Sequence, residues 1–398
     1  MSTLFTPLQL GSVTIPNRLG MSALTRSRAS KSIPTEVMKK YYEQRARGGA
    51  GLIVSEGVLI TRQGTEYHDV PGIWNKTQVE GWKKITDAVH AAGSKIYAQV
   101  GRVPVVRILF QSLFILQLWH LGRANHPDAP EQIASGVPVY APSAIAARGG
   151  KFKYLPGTPG YVTPTELPDP TVIIAQYKEA AINAKEAGFD GVELHGANGY
   201  LVHQFLDSTS NKRTDKWGGS VENRARFCLE ILKELIDVWG PDVALKLSPA
   251  GGYGDVGMEL QETLDTFGYL DPAFLDQEFD GRLLIIGYRI LKFSLLASII
   301  QGKKRATQHD VLASYSSFLP DTKIFLNAGV MPAEAEELVD SGKVAGVFNG
   351  LSWIAHPDMG KRIQTGKALD SNVDFKTLYG APGVDPALGY VDYKEAVY

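Results

Sequence analysis

The stretch GVELHGANGYLVHQFLD, Gly191–Asp207, decides how the chain is read. Its opening, GVELHG, is a short apolar run between glycines, which suits a buried strand. Within the six residues from 195 to 200 the chain then places an imidazole (His195), a carboxamide (Asn198) and a phenol (Tyr200). Packing gives a strand end no reason to carry three groups that handle protons. A lone histidine there reads as a core residue with its hydrogen bonds met, and a lone tyrosine as packing with a surface hydroxyl. The three together point to chemistry.

Outward from this strand, similar runs recur as RLGMSALT, GLIVSEG, KIYAQ, VALKLSP, KIFLNAG and VAGVFNG. Amphipathic helical segments alternate with them: EVMKKYYEQRARG, TQVEGWKKITDAVHAAG, TVIIAQYKEAAINAKEAG, VENRARFCLEILKELIDVWG and PAEAEELVDSGK. Several end in glycine, as a C-cap does. The alternation predicts α/β architecture, a parallel sheet wrapped by helices. Seven strands are legible, one short of a (β/α)8 TIM barrel, and the missing strand is expected between Pro249 and Lys323. In such a barrel the residues just past the strands' C-terminal ends build the active site, so His195, Asn198 and Tyr200 point into its mouth. The loops after the last two strands of a barrel commonly hold a phosphate. Ala328, Gly329, Asn349 and Gly350 are small or turn-prone enough to allow that approach, although simple turn chemistry accounts for them as well.

The chain's 398 residues fit one barrel domain, 1–398. Its 41 Lys+Arg balance 42 Asp+Glu, and no basic run exists to neutralise a row of phosphates or an anionic membrane. Nucleic-acid and membrane partners are therefore not expected. The only cysteine, Cys228, falls on the apolar side of a helical segment, which fits a reducing compartment. MSTLFTPLQLGSVTIPNR lacks a secretory pattern, so a cytoplasmic location is expected. LLIIGYRILKFSLLASII, Leu283–Ile300, approaches the length of a membrane span. Arg289 and Lys292 near its centre would each cost roughly 2.5–3.5 kcal/mol there, so a buried segment is the better reading. GYGDVG, Gly252–Gly257, has the form of a dinucleotide fingerprint but lacks the following strand with its acidic end, and is read as a loop. Zinc spacings and the G-x-S-x-G elbow are absent.

The blocks IPNRLGMSALTRSRA, YYEQRARGGAGLIVSEG, LWHLGRANHPD, GFDGVELHGANGYLVHQFLDSTSNKRTDKWGGSVENRARF, LSPAGGY, GKKRATQHDV and WIAHPD occur in this order between Leu4 and Leu369. Together they resemble the Old Yellow Enzyme family of FMN-dependent ene-reductases. The resemblance implies an eight-stranded barrel with FMN at its C-terminal face and NAD(P)H as reductant. It implies that His195 and Asn198 bind the carbonyl oxygen of an α,β-unsaturated substrate and that Tyr200 protonates its α-carbon. Thr25 would bond the flavin O4, Ala23, Leu24 and Gly57 would line the ring, and Trp119 would border the substrate pocket. A glutamine at the end of the third strand, either Gln99 or Gln117, would reach the pyrimidine edge.

Three positions depart from the family pattern. Lys246 stands where arginine is common near flavin N1, keeping the charge but losing the planar fork. Phe348 and Leu351 replace the usual glycine and the phosphate-binding arginine. Two stretches are also foreign to it, at about 100–117 and 282–301, and both end in glutamine just before the family pattern resumes, as translated intervening sequence would. They threaten the third and sixth strands, so a barrel disrupted there is one expectation, with RLLIIGYRILKF as a substitute sixth strand. The rival functional readings are a barrel inactivated by these segments and a flavin-dependent isomerase or reductase of secondary metabolism.

Overall fold

The computed structural model describes residues 2–93, 112–148, 161–275, 284–288, 299–300, 303–304, 306–319, 322–327 and 329–398. Eight strands form the barrel: β1 Leu19–Met21, β2 Leu52–Leu59, β3 Leu113–Trp119, β4 Gly191–Gly196, β5 Val243–Leu247, β6 Leu284–Tyr288, β7 Lys323–Asn327 and β8 Gly346–Asn349. Each runs parallel to its neighbours, and β8 pairs back onto β1 through Val347–Leu19, Phe348–Gly20 and Asn349–Met21, closing the ring. Strands covered on both faces need apolar residues at every position, which is why LIVSEGVL and LFILQLW are buried throughout.

The expected disruption does not occur. The third strand takes five of its seven residues, Leu113–Gln117, from the first foreign stretch, while KIYAQ lies outside the described residues. The sixth is LIIGY from the second foreign stretch, paired with β5 through Leu284–Ala244 to Gly287–Leu247 and with β7 through Leu284–Lys323 to Tyr288–Asn327. A strand between two parallel neighbours has to supply backbone donors and acceptors and β-compatible residues, and both apolar runs do so. The first strand is shorter than its apolar run: Ser22–Thr25 lie beyond its end, with the Ser22 N–H still donating to the Asn349 carbonyl at 2.9 Å.

The helices pack outside. Asp169 caps Pro170–Glu186 by accepting the Thr171 N–H, and Ser220 caps Val221–Trp239 by accepting that of Asn223. The second of these helices buries Phe227, Cys228, Ile231, Leu232 and Leu235 along one face. Burial pushes the Cys228 thiol up to about 12, so it is an inert packing residue. Among the described residues no helix is long and apolar enough to cross a membrane.

Inside the barrel, Leu52, Val54, Leu113, Ile115, Ala244, Phe325 and Phe348 form a core separate from the one between sheet and helices. The hairpin Leu8–Leu10/Val13–Ile15 packs against it. Phe348 thus fills the barrel beside Phe325, their rings 5.3 Å apart, rather than facing the mouth. The C-terminal segment is clamped by buried arginines. Arg26 donates to the carbonyls of Leu378 and Gly389, Arg28 to those of Thr377, Pro386 and Leu388, and Arg45 to that of Tyr390. Tyr390 stacks on Tyr41 at 4.1 Å.

Phe348 also dictates its neighbour, because a Cβ on Gly20 would lie 2.5 Å from its ring. Replacing Phe348 by Ala is expected to cost about 3–5 kcal/mol in urea unfolding. Gly20→Ala should cost about 1–3 kcal/mol in the native background but clearly less beside Phe348→Ala. Equal costs in both backgrounds would refute this wedge.

Candidate active site

The site grows from irregularities at the strand ends. The β2–β3 register slips between Val54 and Gly57, a bulge that redirects Ser55 and Glu56. Ser55 Oγ then accepts the Gln117 N–H at 3.1 Å. The buried Glu56 carboxylate accepts the Arg26 N–H and the Tyr42 phenol, each at 3.3 Å. Burial pushes it up to about 7 against the pull of these bonds. Glu56 therefore anchors the segment that carries Ala23, Leu24 and Thr25, all half-buried beyond β1. One residue on, Gly57 has to be glycine because a Cβ would run into the Trp119 ring.

Across β3, β4 and β5 the interior turns polar. Gln117 Nε2 donates to Glu193, its register partner on β4, while Lys246 on β5 is the register partner of His195. All four side chains are buried. Burial raises Glu193, opposed by the charge of Lys246 and the Gln117 amide. Buried polar groups cost free energy unless bonded, so packing alone does not explain a carboxylate, an ammonium and an amide at the top of an apolar barrel.

Beyond β4 the chain takes two left-handed residues in succession, Asn198 at φ 59 and Gly199 at φ 68. The Asn198 N–H donates to Ser248 Oγ at 2.9 Å, which holds this turn against the loop after β5. The turn folds Tyr200 back over His195, their rings perpendicular with centroids 4.9 Å apart. Trp119 completes the group, edge-on to Tyr200 at 5.1 Å and nearly parallel to His195 at 6.3 Å. His195 Nδ1 accepts the Ala197 N–H at 3.2 Å, so the neutral ring carries its proton on Nε2. Burial, then Lys246, then His203 push its pKa well below 6.5, so Nε2–H remains a neutral donor. Burial, then Tyr253, Tyr161, Glu66 and Tyr379, push Tyr200 well above 10, so the phenol holds its proton. Tyr67, Trp119 and Tyr200 are packed by Trp74, Tyr161 and Tyr379 into an aromatic cup above these groups.

The phosphate end is plainer. Gly329 is exposed at φ 76, and Ala328 lies outside the described residues, as does Gln99. The Asn349 side chain bridges the two last loops, accepting the Ser352 N–H at 3.1 Å and donating to the Val330 carbonyl at 3.2 Å. Gly350 sits under Leu24, where a Cβ would come within 3.1 Å, and Leu351 is exposed.

The structure thus brings Trp119, His195, Asn198 and Tyr200 to one mouth, rimmed by Thr25, Gly57, Gln117 and Lys246. A planar, polar-edged ring fits these residues: Gln117 and Lys246 are buried polar groups, and Gly57 carries no side chain beside the Trp119 ring. Sequence reasoning missed Glu56, Glu193, Tyr67, Tyr253 and Tyr379. Glu193 was within reach, since it stands two residues before His195 and strand alternation turns both inward. The tyrosines come together only in the folded chain.

Comparison with known proteins agrees with this geometry. The chain matches the NADH:flavin oxidoreductase / NADH oxidase family over residues 3–106 and 110–370. It is 33% identical to 12-oxophytodienoate reductase 7 of Oryza sativa subsp. japonica, covering 98% of this chain and 94% of that one. It is 36% identical to the probable inactive reductase easA of Epichloe festucae var. lolii, covering 98% and 95%. The structure of morphinone reductase superposes with a TM-score of 0.83 at 32% identity, covering 99% of this chain and 96% of that one. With the signature blocks in place around a closed barrel, this chain belongs to the NADH:flavin oxidoreductase / NADH oxidase family, the Old Yellow Enzyme family, and is an FMN-dependent oxidoreductase.

Proposed function

We propose that the protein reduces the activated C=C bond of an α,β-unsaturated ketone or aldehyde, with Tyr200 as proton donor to the α-carbon. One observation carries the reading: a neutral imidazole donor and a protonated phenol, 4.9 Å apart between ring centroids, share one aromatic mouth. FMN, when bound and reduced by NAD(P)H, would supply the hydride for the β-carbon. Thr25, Gly57, Gln117, His195 and Lys246 would hold its ring, with Ala23 and Leu24 beside it, and Gly329, Asn349 and Gly350 would serve its phosphate, as would Ala328, which lies outside the described residues. Lys246 retains a positive charge at the ring but offers point-like donors in place of a planar fork.

The protein's own groups do the rest. His195 Nε2–H, with Asn198 at the same strand end, donates to the substrate carbonyl oxygen. These donors stabilise negative charge as it grows on that oxygen, and a fixed neutral donor in a dry site needs little reorganisation. Tyr200 then gives its proton to the α-carbon. A phenol suits this step, since it keeps its proton against water at neutral pH and yields it to a far more basic enolate carbon. The aromatic cup excludes water from the enolate and favours a flat, apolar substrate body. One relative is named a probable inactive reductase; here His195, Asn198 and Tyr200 are all present, which favours the active reading over an inactivated barrel.

Protein purified with FMN should be yellow, bleach anaerobically with NADPH and recolour when an enone is added. Replacing Tyr200 by Phe should slow recolouring about 100-fold or more while leaving bleaching unchanged. Equal loss in both steps would remove Tyr200 from the proton-donor role.

The pH dependence follows from the same two groups. His195 gains a proton only well below 6.5 and Tyr200 loses one only well above 10. The enone step at saturating substrate should therefore show no limb from His195 or Tyr200 between those limits, falling on the acid side as the imidazolium forms and on the alkaline side as the phenol ionises. A limb inside that window that disappears in His195→Asn would contradict the neutral-donor assignment.

A further inference from the structure

Gln204, in the short helix Leu201–Leu206 that follows Tyr200, is fully buried and directs its carboxamide to two loops at once. Nε2 donates to the Leu121 carbonyl at 2.9 Å and to the Gly199 carbonyl at 2.7 Å, and Oε1 accepts the Arg123 N–H at 3.0 Å. Carbonyls at one end and an N–H at the other admit a single orientation of the carboxamide. One loop leads from Trp119 at the end of β3, and the other is the left-handed turn that sets Tyr200 over His195. Beside this bridge the Leu201 N–H donates to the His120 carbonyl at 3.0 Å. Gly122 makes room for the amide: it adopts φ 60, and a Cβ there would lie 2.2 Å from Gln204 Oε1. The Gly199 carbonyl belongs to the peptide that carries Tyr200, so the direction in which it is held fixes where the phenol leaves the chain. The Gly199 N–H is met as well, donating to His203 Nδ1 at 3.3 Å. Burial lowers the pKa of His203, which keeps the ring neutral and able to accept. The Tyr253–Gly254 backbone abuts the same turn, since a Cβ on Gly199 would lie 2.5 Å from the Tyr253 carbonyl oxygen.

We propose that Gln204 is a positioning residue for Tyr200, setting the phenol against Trp119 and His195 for proton transfer by holding the Gly199–Tyr200 peptide to the loop that leaves β3. This rests on the reading of Tyr200 as proton donor. Proton transfer to carbon depends steeply on placement, and an error of about 1 Å costs up to about 100-fold in rate. The other side-chain bonds to the turn act one peptide earlier or more: Ser248 holds the Asn198 N–H and His203 the Gly199 N–H. Gln204 grips the next peptide, the one that carries Tyr200. A buried carbonyl deprived of its donor costs free energy, so loss of the carboxamide would release this peptide to reorient. The backbone N–H of Gln204 also donates to the Tyr200 carbonyl, at 2.8 Å. Any substitution retains that bond, so side-chain variants probe the carboxamide alone.

The test uses the FMN-loaded protein with Gln204→Met, which keeps the length of the side chain and removes its hydrogen bonds. Flavin reoxidation at saturating enone should slow about tenfold or more, while bleaching by NADPH and FMN retention stay within about twofold. In a Tyr200→Phe background the same change should add little, since the group it serves is gone. Gln204→Glu gives a second readout and keeps the test open where Gln204→Met unfolds. While protonated, the introduced carboxyl accepts the Arg123 N–H and donates to one carbonyl; once ionised, it has no proton for either. Burial against carbonyls raises its pKa, so reoxidation should hold best at low pH and fall as the pH rises. Burial lowers His120 and His203, so neither imidazole supplies such a limb, and Arg123 stays charged throughout. Bleaching should lack the limb. If Tyr200→Phe leaves reoxidation intact, the proton-donor reading falls. If Tyr200→Phe slows reoxidation, the proton-donor reading stands, and three results overturn the role of Gln204: native reoxidation in Gln204→Met, equal slowing by Gln204→Met in both backgrounds or of bleaching, or no pH limb in Gln204→Glu.

Discussion

Closure of the parallel ring is the constraint on which the rest depends. Each barrel strand leaves one edge of N–H and C=O groups for the next, and an open edge would strand those groups and expose an apolar interior. The ring closes here because Leu284–Tyr288 inserts between β5 and β7, and because Leu113–Trp119 stands between β2 and β4. Ladder pairing is a backbone demand with loose side-chain requirements, so sequence foreign to the family pattern meets it where the run is apolar and of the right length. With the ring closed, the C-terminal ends of all eight strands share a face, and residues from 25 to 350 can meet there.

The mouth is then tuned by charge and burial. His195 stays neutral because it is buried beside Lys246 and His203, and its tautomer follows from a backbone N–H two residues on. Tyr200 stays protonated because it is buried among other phenols and Glu66. The environment thus moves the two titrations away from neutrality in opposite directions, so the imidazole stays neutral and the phenol protonated around neutral pH. Below them, Gln117 and Lys246 flank Glu193, and Glu56 anchors the Thr25 segment from beneath. These carboxylates act through the groups they hold.

The departures from the family pattern fall unevenly. Phe348 is absorbed as core, its ring tilted against that of Phe325 and lying over a glycine that leaves it room. Lys246 keeps its place on β5 beside His195. The exposed Leu351 provides no charge where the family pattern has an arginine, and Lys246 is the departure among the residues around the mouth.

Much was legible in the sequence for reasons that are local. Alternating apolar runs and amphipathic helices announce a wrapped parallel sheet, because burial of both sheet faces imposes that pattern on neighbouring residues. His195, Asn198 and Tyr200 stand out because a strand end is identifiable from the run before it. The sequence reads KIYAQ as the third strand and leaves the sixth open, whereas the structure pairs LFILQLW with β2 and β4 and KIYAQ lies outside the described residues. That pairing also set Gln117 opposite Glu193. The approach of the Tyr253–Gly254 backbone to Asn198 and Gly199 and the meeting of Tyr67 with Tyr379 were decided by tertiary structure alone, since contacts between residues over 50 or 300 positions apart leave no periodic trace along the chain.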